Sequence, residues 1–146
     1  MSSNTSIRFF FENRSVALRN RKRLKDFILN LFRKEKKAVG SINYVFCSDK
    51  KILEINREFL KHDFYTDIIT FDLSETKKIT AEIYISLERV RDNAKAQGTT
   101  LTNELLRVIF HGALHLCGYG DKSKAEIEKM REKEEDYLKN WLSVGR

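Results

Sequence analysis

Leu24, Phe27, Ile28, Leu31 and Phe32 stand at i, i+3, i+4, i+7 and i+8, the stripe of an amphipathic helix over about residues 20–34. Arginines and lysines fill its other face. Ahead of it, Ile7 to Phe11 reads as a first strand. After it, Gly40 breaks the pattern, and Ser41 to Cys47, with Ile42, Tyr44, Val45 and Phe46, reads as a second strand. Ser48 or Asp49 can cap a following helix that turns Ile52, Ile55 and Phe59 inward and fades near Lys61-His62-Asp63. Asp67 to Leu73 and Ile79 to Ser86 are two more strands. The polar turn Ser74-Glu75-Thr76-Lys77-Lys78 between them predicts an antiparallel hairpin.

Ser86 then caps a helix to about Gln97, which Gly98 ends. From Thr102 to Cys117 the apolar positions Leu105, Leu106, Val108, Ile109, Phe110, Ala113, Leu114 and Leu116 wrap most of the circumference, so this helix is central and buried. Gly118 stops it. Ser123-Lys124-Ala125-Glu126 is a capping box, opening a last helix that packs through Ile127, Met130, Tyr137, Leu138 and Trp141. The expected fold class is α+β: a single domain over residues 1–146, with a mixed sheet of about four strands packed on helices and a buried central helix.

Composition narrows this picture without changing it. The chain has 146 residues, 41% of them hydrophobic, enough for one core and too few for a second domain. No apolar run is long enough to span a membrane as a helix. The N-terminal Met1-Ser2-Ser3-Asn4-Thr5-Ser6 lacks the charged-then-apolar order of a signal peptide, and a cytosolic location is expected. Cys47 and Cys117 form no metal or disulfide framework and read as reduced thiols. Cys117 lies two positions beyond His115, on the far side of the helix, and reads as buried rather than as a ligand.

The net charge of +7 is unevenly placed: ten basic residues between Arg14 and Lys37 face only Asp26 and Glu35. Such a field favours polyanions, nucleic acid above all. The same segment also reads as the solvated face of an ordinary helix.

The chemistry concentrates on His111-Gly112-Ala113-Leu114-His115-Leu116-Cys117-Gly118-Tyr119-Gly120-Asp121, which uses two of the three histidines in the chain. At i and i+4, His111 and His115 share one helix face with Cβ atoms roughly 5–6 Å apart. Two neutral imidazoles at that spacing suit zinc. Gly118 can end the helix in a left-handed turn that returns the chain beneath the histidines, offering the Asp121 carboxylate as a third ligand and leaving a fourth position open. The spacing is similar to that of the metzincin peptidases, His-Glu-x-x-His-x-x-Gly-x-x-His. Position 112, however, is Gly, where those enzymes carry their general base. Glu104, two turns before His111, reads as solvated or capping.

His111-Gly112-x-Leu114-His115-Leu116-x-Gly118-Tyr119 resembles the signature of the YbeY family, bacterial single-domain metal-dependent endoribonucleases and rRNA maturation factors. Two further stretches are similar to family segments. Asn56 to Phe71, with Thr66-Asp67-Ile68-Ile69-Thr70-Phe71, is similar to Leu-Asn-x-x-Tyr-Arg followed by Thr-Asp-Val-Leu-Ser-Phe. Ala81-Glu82-Ile83-Tyr84-Ile85-Ser86 is similar to Gly-Asp-Ile-x-Ile-Ser. There are two departures. An ungapped match puts Asp121 where the family has its third histidine, with Met130 and Glu134 on the family's following Met and Glu; a one-residue slip would put Lys122 there instead. The family's arginine after Tyr falls on Leu60, so Arg57 and Lys61 are the substrate-binding candidates that could supply its charge. His62, in a polar turn, reads as surface.

The resemblance implies a single-strand-specific endoribonuclease of ribosomal RNA, acting in maturation of the small-subunit rRNA 3′ end and in ribosome quality control. One Zn²⁺ per chain would be held by His111, His115 and Asp121, polarising a phosphoryl oxygen or activating water. The basic segment 14–37 would hold the RNA backbone. The expected partners are ribosomal RNA and the small subunit, with no membrane. No general base stands out. Two other readings remain: a zinc peptidase, suggested by the zincin-like spacing and disfavoured by Gly112, and a non-catalytic metal-containing factor that binds RNA or the ribosome.

Overall fold

A computed structural model describes residues 6–12, 18–61 and 66–144 of the chain. Strand β1 (Ile7–Phe11) is followed by helix α1 (Arg21–Lys34) and β2 (Ala38–Cys47). Helix α2 (Asp49–Ile55) continues into a π-helical turn at Asn56–Leu60. Strands β3 (Ile68–Asp72) and β4 (Lys78–Ser86) precede helices α3 (Leu87–Gln97), α4 (Leu101–Leu116) and α5 (Lys124–Val144). His62 and Arg14 lie outside the described residues.

The four strands form one mixed sheet in the order β1-β2-β4-β3. β1 and β4 flank β2 in parallel, and β3 pairs antiparallel with β4 as the expected hairpin. The parallel pairs are joined through helices, because parallel neighbours need a crossover connection. Alternation decides the faces. Ile42, Tyr44 and Phe46 of β2 and Ala81, Ile83 and Ile85 of β4 enter the main core with α1, α4 and α5. Cys47 and Ile69 instead join Ile52 and Ile55 of α2 in a smaller cluster.

α4 is the buried central helix. Ile109, Phe110, Ala113 and Leu114 are fully buried, and fully burying each of the larger side chains contributes about 1.5–3 kcal/mol. The Tyr44 hydroxyl ties sheet to helix by donating to the Ile109 carbonyl at 3.0 Å. The caps follow the sequence. Ser48, Ser86 and Thr100 side chains accept the backbone N–H three residues on. Gly98 closes α3 at φ 68°, and Ser123 and Glu126 form the reciprocal capping box at 3.0 and 3.1 Å.

Three expectations are corrected. β2 begins at Ala38, because Gly40 lies inside it at a register shift between Val39 and Ser41; its missing side chain leaves the bulge room beside the Ile79 carbonyl. Phe59 is 63% exposed rather than inward. The wider π turn carries it off the face that buries Ile52 and Ile55, and it meets Phe71 edge-on at 6.2 Å. Ile127 is also exposed, since the first turn of α5 overhangs a cleft instead of the core.

Candidate metal centre

The site is built on the last two turns of α4 and the reversal after it. Gly118 adopts φ 108°, a conformation that side chains oppose. The turn is closed by bonds from Gly118 N–H to the His115 carbonyl at 3.0 Å and from Tyr119 N–H to the Leu114 carbonyl at 3.1 Å. The chain thereby returns past the helix end and places the Asp121 carboxylate 3.5 Å from His111 Nε2.

Both histidines are held by Nδ1. His111 Nδ1 lies 2.6 Å from Glu134 Oε2 of α5, and a buried carboxylate requires that nitrogen to carry the proton and donate. In the neutral ring Nε2 then bears the lone pair, facing Asp121. This carboxylate–histidine arrangement is how metal-binding imidazoles are oriented and made more basic. His115 Nδ1 stands 3.2 Å from the Tyr119 carbonyl. A carbonyl only accepts, so Nε2 is again the open nitrogen.

Behind Glu134 runs a buried ionic chain. Glu134 is 2% exposed and Glu104 1%. Arg107 bridges them, with Nη1 2.6 Å from Glu134 Oε1 and Nε 3.0 Å from Glu104 Oε1. Glu104 is therefore neither solvated nor capping. A carboxylate buried on so apolar a helix needs a hydrogen-bonding partner, and Arg107, one turn on, provides it.

The electrostatics follow this geometry. Burial would drive the His111 pKa down, but the Glu134 carboxylate, with Asp67 and Asp121 beyond it, raises it above the usual value. Burial pushes Glu134 up, yet His111 and Arg107 hold it below the carboxylate norm. Asp67 is raised by burial, partly offset by His111, and accepts from the Asn93 amide at 3.3 Å. Burial also pushes the thiol of Cys117, half-buried against the main core, up to about 12.

Asp67, Asn93, Arg107, His111, Asp121 and Glu134 line one cleft of about 360 Å³. The structure thus brings His111 and Asp121 together, while His115 stands exposed outside the cleft lining. Among the described residues no three His, Cys, Asp or Glu side chains converge on one point. The donor chemistry nonetheless suits zinc: two imidazoles with Nδ1 committed and Nε2 open, and a carboxylate beside one of them. Arg57 and Lys61 sit on and just after the π turn, exposed, and neither lines this cleft.

Gly112 faces the sheet. A Cβ there would lie 3.0 Å from Ile68 Cδ1 and 3.2 Å from two Ile83 methyl carbons, so the glutamate of a metzincin has no room at this position.

Sequence reasoning missed the roles of Arg107, Asp67 and Glu134. A charged pair three residues apart inside an apolar helix was a legible signal for Glu104 and Arg107. Nothing local joins position 134 to position 107.

A profile of the endoribonuclease YbeY family matches residues 8–142. An endoribonuclease YbeY of Cytophaga hutchinsonii is 50% identical over 134 residues, covering 91% of this chain and 94% of that one. One from Parabacteroides distasonis is 55% identical over 98 residues, 67% of this chain and 69% of its own. The solution structure of TM1509 from Thermotoga maritima superposes with a TM-score of 0.64 at 32% identity, covering 94% of this chain and 93% of that one. On the shared signature and on matches that span the fold, the chain belongs to the endoribonuclease YbeY family.

Proposed function

We propose that this protein is a zinc-dependent endoribonuclease that cleaves single-stranded ribosomal RNA, in maturation of the small-subunit rRNA 3′ end and in ribosome quality control. The observation that carries the reading is His111: Glu134 fixes its Nδ1–H and turns the open Nε2 toward Asp121 at 3.5 Å. The relatives carry the name endoribonuclease.

His111, His115 and Asp121 would hold one Zn²⁺, which would supply Lewis-acid polarisation of a phosphoryl oxygen and activation of water. The protein's own part is positional. Arg107 fixes Glu134, Glu134 fixes the His111 ring, and the Tyr119 carbonyl fixes His115. The reversal at Gly118 holds Asp121 against the helix end. Asp67 and Asn93 also line the cleft. The exposed cations of the α1 region, Arg19, Arg21, Lys22, Arg33, Lys34, Lys36 and Lys37, would hold the RNA backbone in a salt-dependent manner. Arg57 and Lys61 would add substrate contacts from a separate surface.

Action on ribosomes would place the protein in the cytoplasm, and no described helix is long and apolar enough to cross a membrane. The fit of Gly112 against Ile68 and Ile83 removes the peptidase reading's general base.

The test incubates the protein with structured ribosomal RNA, with chelator and with added zinc, beside His115→Ala and a casein substrate. Expected are cleavage of the RNA with zinc, none with chelator, loss in His115→Ala, and intact casein. Unchanged cleavage by His115→Ala would assign the nuclease to a contaminant.

A further inference from the structure

The metal-site cleft does not end at Arg107. A second cleft of about 380 Å³ opens beyond it and shares Gln97, Arg107 and Arg131 with the first. The two form one groove running from His111 and Asp121, between the α3–α4 junction and α5. One wall carries the amides and hydroxyl of Gln97, Asn103 and Thr99. The other is α5, with Arg131 where the two clefts join and Lys139 farther along. Eight residues of helix separate these cations, roughly 12 Å of rise.

Their charge is not spent within the protein. Among the described residues neither Arg131 nor Lys139 makes an ion pair or a side-chain hydrogen bond. Arg107, by contrast, is consumed by Glu104 and Glu134. Glu135 also lines the groove, and would repel an anion at that point. Leu138 and Leu142 provide an apolar stretch between the polar walls.

We infer that this groove is the binding track for the single RNA strand flanking the scissile bond, with Arg131 as its main phosphate-binding residue and Lys139 as a second. The inference rests on the endoribonuclease reading and deepens it. The assignment follows from continuity with the metal cleft, from unpaired cations spaced along one wall, and from amide and hydroxyl groups facing them, able to reach sugar hydroxyls and base edges. A planar guanidinium free of carboxylates is suited to bidentate contact with a phosphate. It would also supply cationic contact that Leu60 cannot.

The experiment measures anisotropy of a labelled single-stranded oligoribonucleotide, with a trinucleotide as comparison, in excess chelator so that binding is read without cleavage. Arg131→Glu and Arg131→Ala are compared with Lys129→Glu, the same charge reversal at an exposed α5 position that already pairs with Glu132. Arg131→Ala should weaken the longer RNA roughly fivefold and lower the salt slope by about 0.7, the loss of one single-strand phosphate contact. Arg131→Glu should weaken it further. The melting temperature should be unchanged, and Lys129→Glu should act weakly.

Unchanged affinity and salt slope in Arg131→Glu, or an equal effect from Lys129→Glu, would overturn the assignment. So would displacement of the RNA by polyglutamate at matched charge concentration, which would make an acidic peptide the occupant. Cleavage by the wild type separates the two readings. Cleavage with Arg131→Glu unaffected in binding overturns the groove alone; weakened binding without any cleavage upholds the groove and overturns the enzyme.

Discussion

Replacing Glu134 by Gln tests the orientation of His111 with almost no change in volume. The Glu134 carboxylate accepts from His111 Nδ1 at 2.6 Å and from Arg107 Nη1 at 2.6 Å. An amide has one oxygen and one NH₂ at these two places. Arg107 can only donate, so the oxygen must face it and the NH₂ must face His111. Nδ1 then has to accept, the ring proton moves to Nε2, and the nitrogen that faces Asp121 can no longer ligate a metal. Loss of such an orienting partner typically costs 10–100-fold, that is about 1.4–2.7 kcal/mol, in metal affinity. One strong charge-assisted bond is also lost, about 1.5–3 kcal/mol of stability, which corresponds to roughly 5–10 °C in Tm for a chain of this size. Zinc affinity is read by competition with a chromophoric chelator, Tm by circular dichroism, and the tautomer from imidazole ¹⁵N shifts in the metal-free protein. Glu132→Gln, on the exposed side of α5, is the control. Wild-type zinc affinity in Glu134→Gln would refute the argument that this carboxylate sets the ligand nitrogen.

Asp121→Ala should reduce zinc affinity at least tenfold while leaving Tm nearly unchanged, because its side chain is 45% exposed and surface substitutions cost little; metal stoichiometry and a melting curve check both. Gly112→Ala gains about 1 kcal/mol of helix propensity but pushes a methyl against Ile68 and Ile83 at 3.0–3.2 Å. With overpacking typically costing 1–3 kcal/mol, the net should be about 1 kcal/mol of destabilisation in urea unfolding. Burial opposes the charge of Glu35, yet hydrogen bonds from Tyr137, Lys133 and Tyr119 at 2.6, 3.0 and 2.8 Å hold its pKa below the carboxylate norm. A depressed carboxylate contributes stability that is present above its unfolded pKa and lost as pH falls through its folded one. Glu35→Gln should therefore be about 2 kcal/mol less stable at pH 7, and urea titrations should show the gap closing in acid, below the ordinary carboxylate pKa.

The elements were legible where burial sets the period. Leu24, Ile28, Leu31 and Phe32 are all buried, as a stripe on α1 must be, and the alternation in β2 and β4 sorts their side chains between two faces. Gly40 misled because glycine reads as a break, whereas a bulge needs that same residue inside a strand. Phe59 misled because a period of 3.6 was carried past Ile55, where the backbone widens into a π turn.

The site was half legible for a related reason. His111, His115, Gly118 and Asp121 are local, and their spacing encodes one helix face and one reversal. Glu134 is 23 residues from His111 in sequence, and its position depends on how α5 lies across α4, which no short-range pattern records. The buried charges themselves were the available clue. A helix as apolar as α4 cannot keep Glu104 and Arg107 inside unless their charges are matched, and Arg107 has more donors than Glu104 can accept. The surplus donor at Nη1 demands another buried acceptor from a different element, and Glu134 supplies it. That acceptor has a second oxygen, which reaches His111. Packing α5 on α4 and aiming the imidazole are consequently one event, and a substitution that unpairs Arg107 should loosen the helix interface and the ligand together.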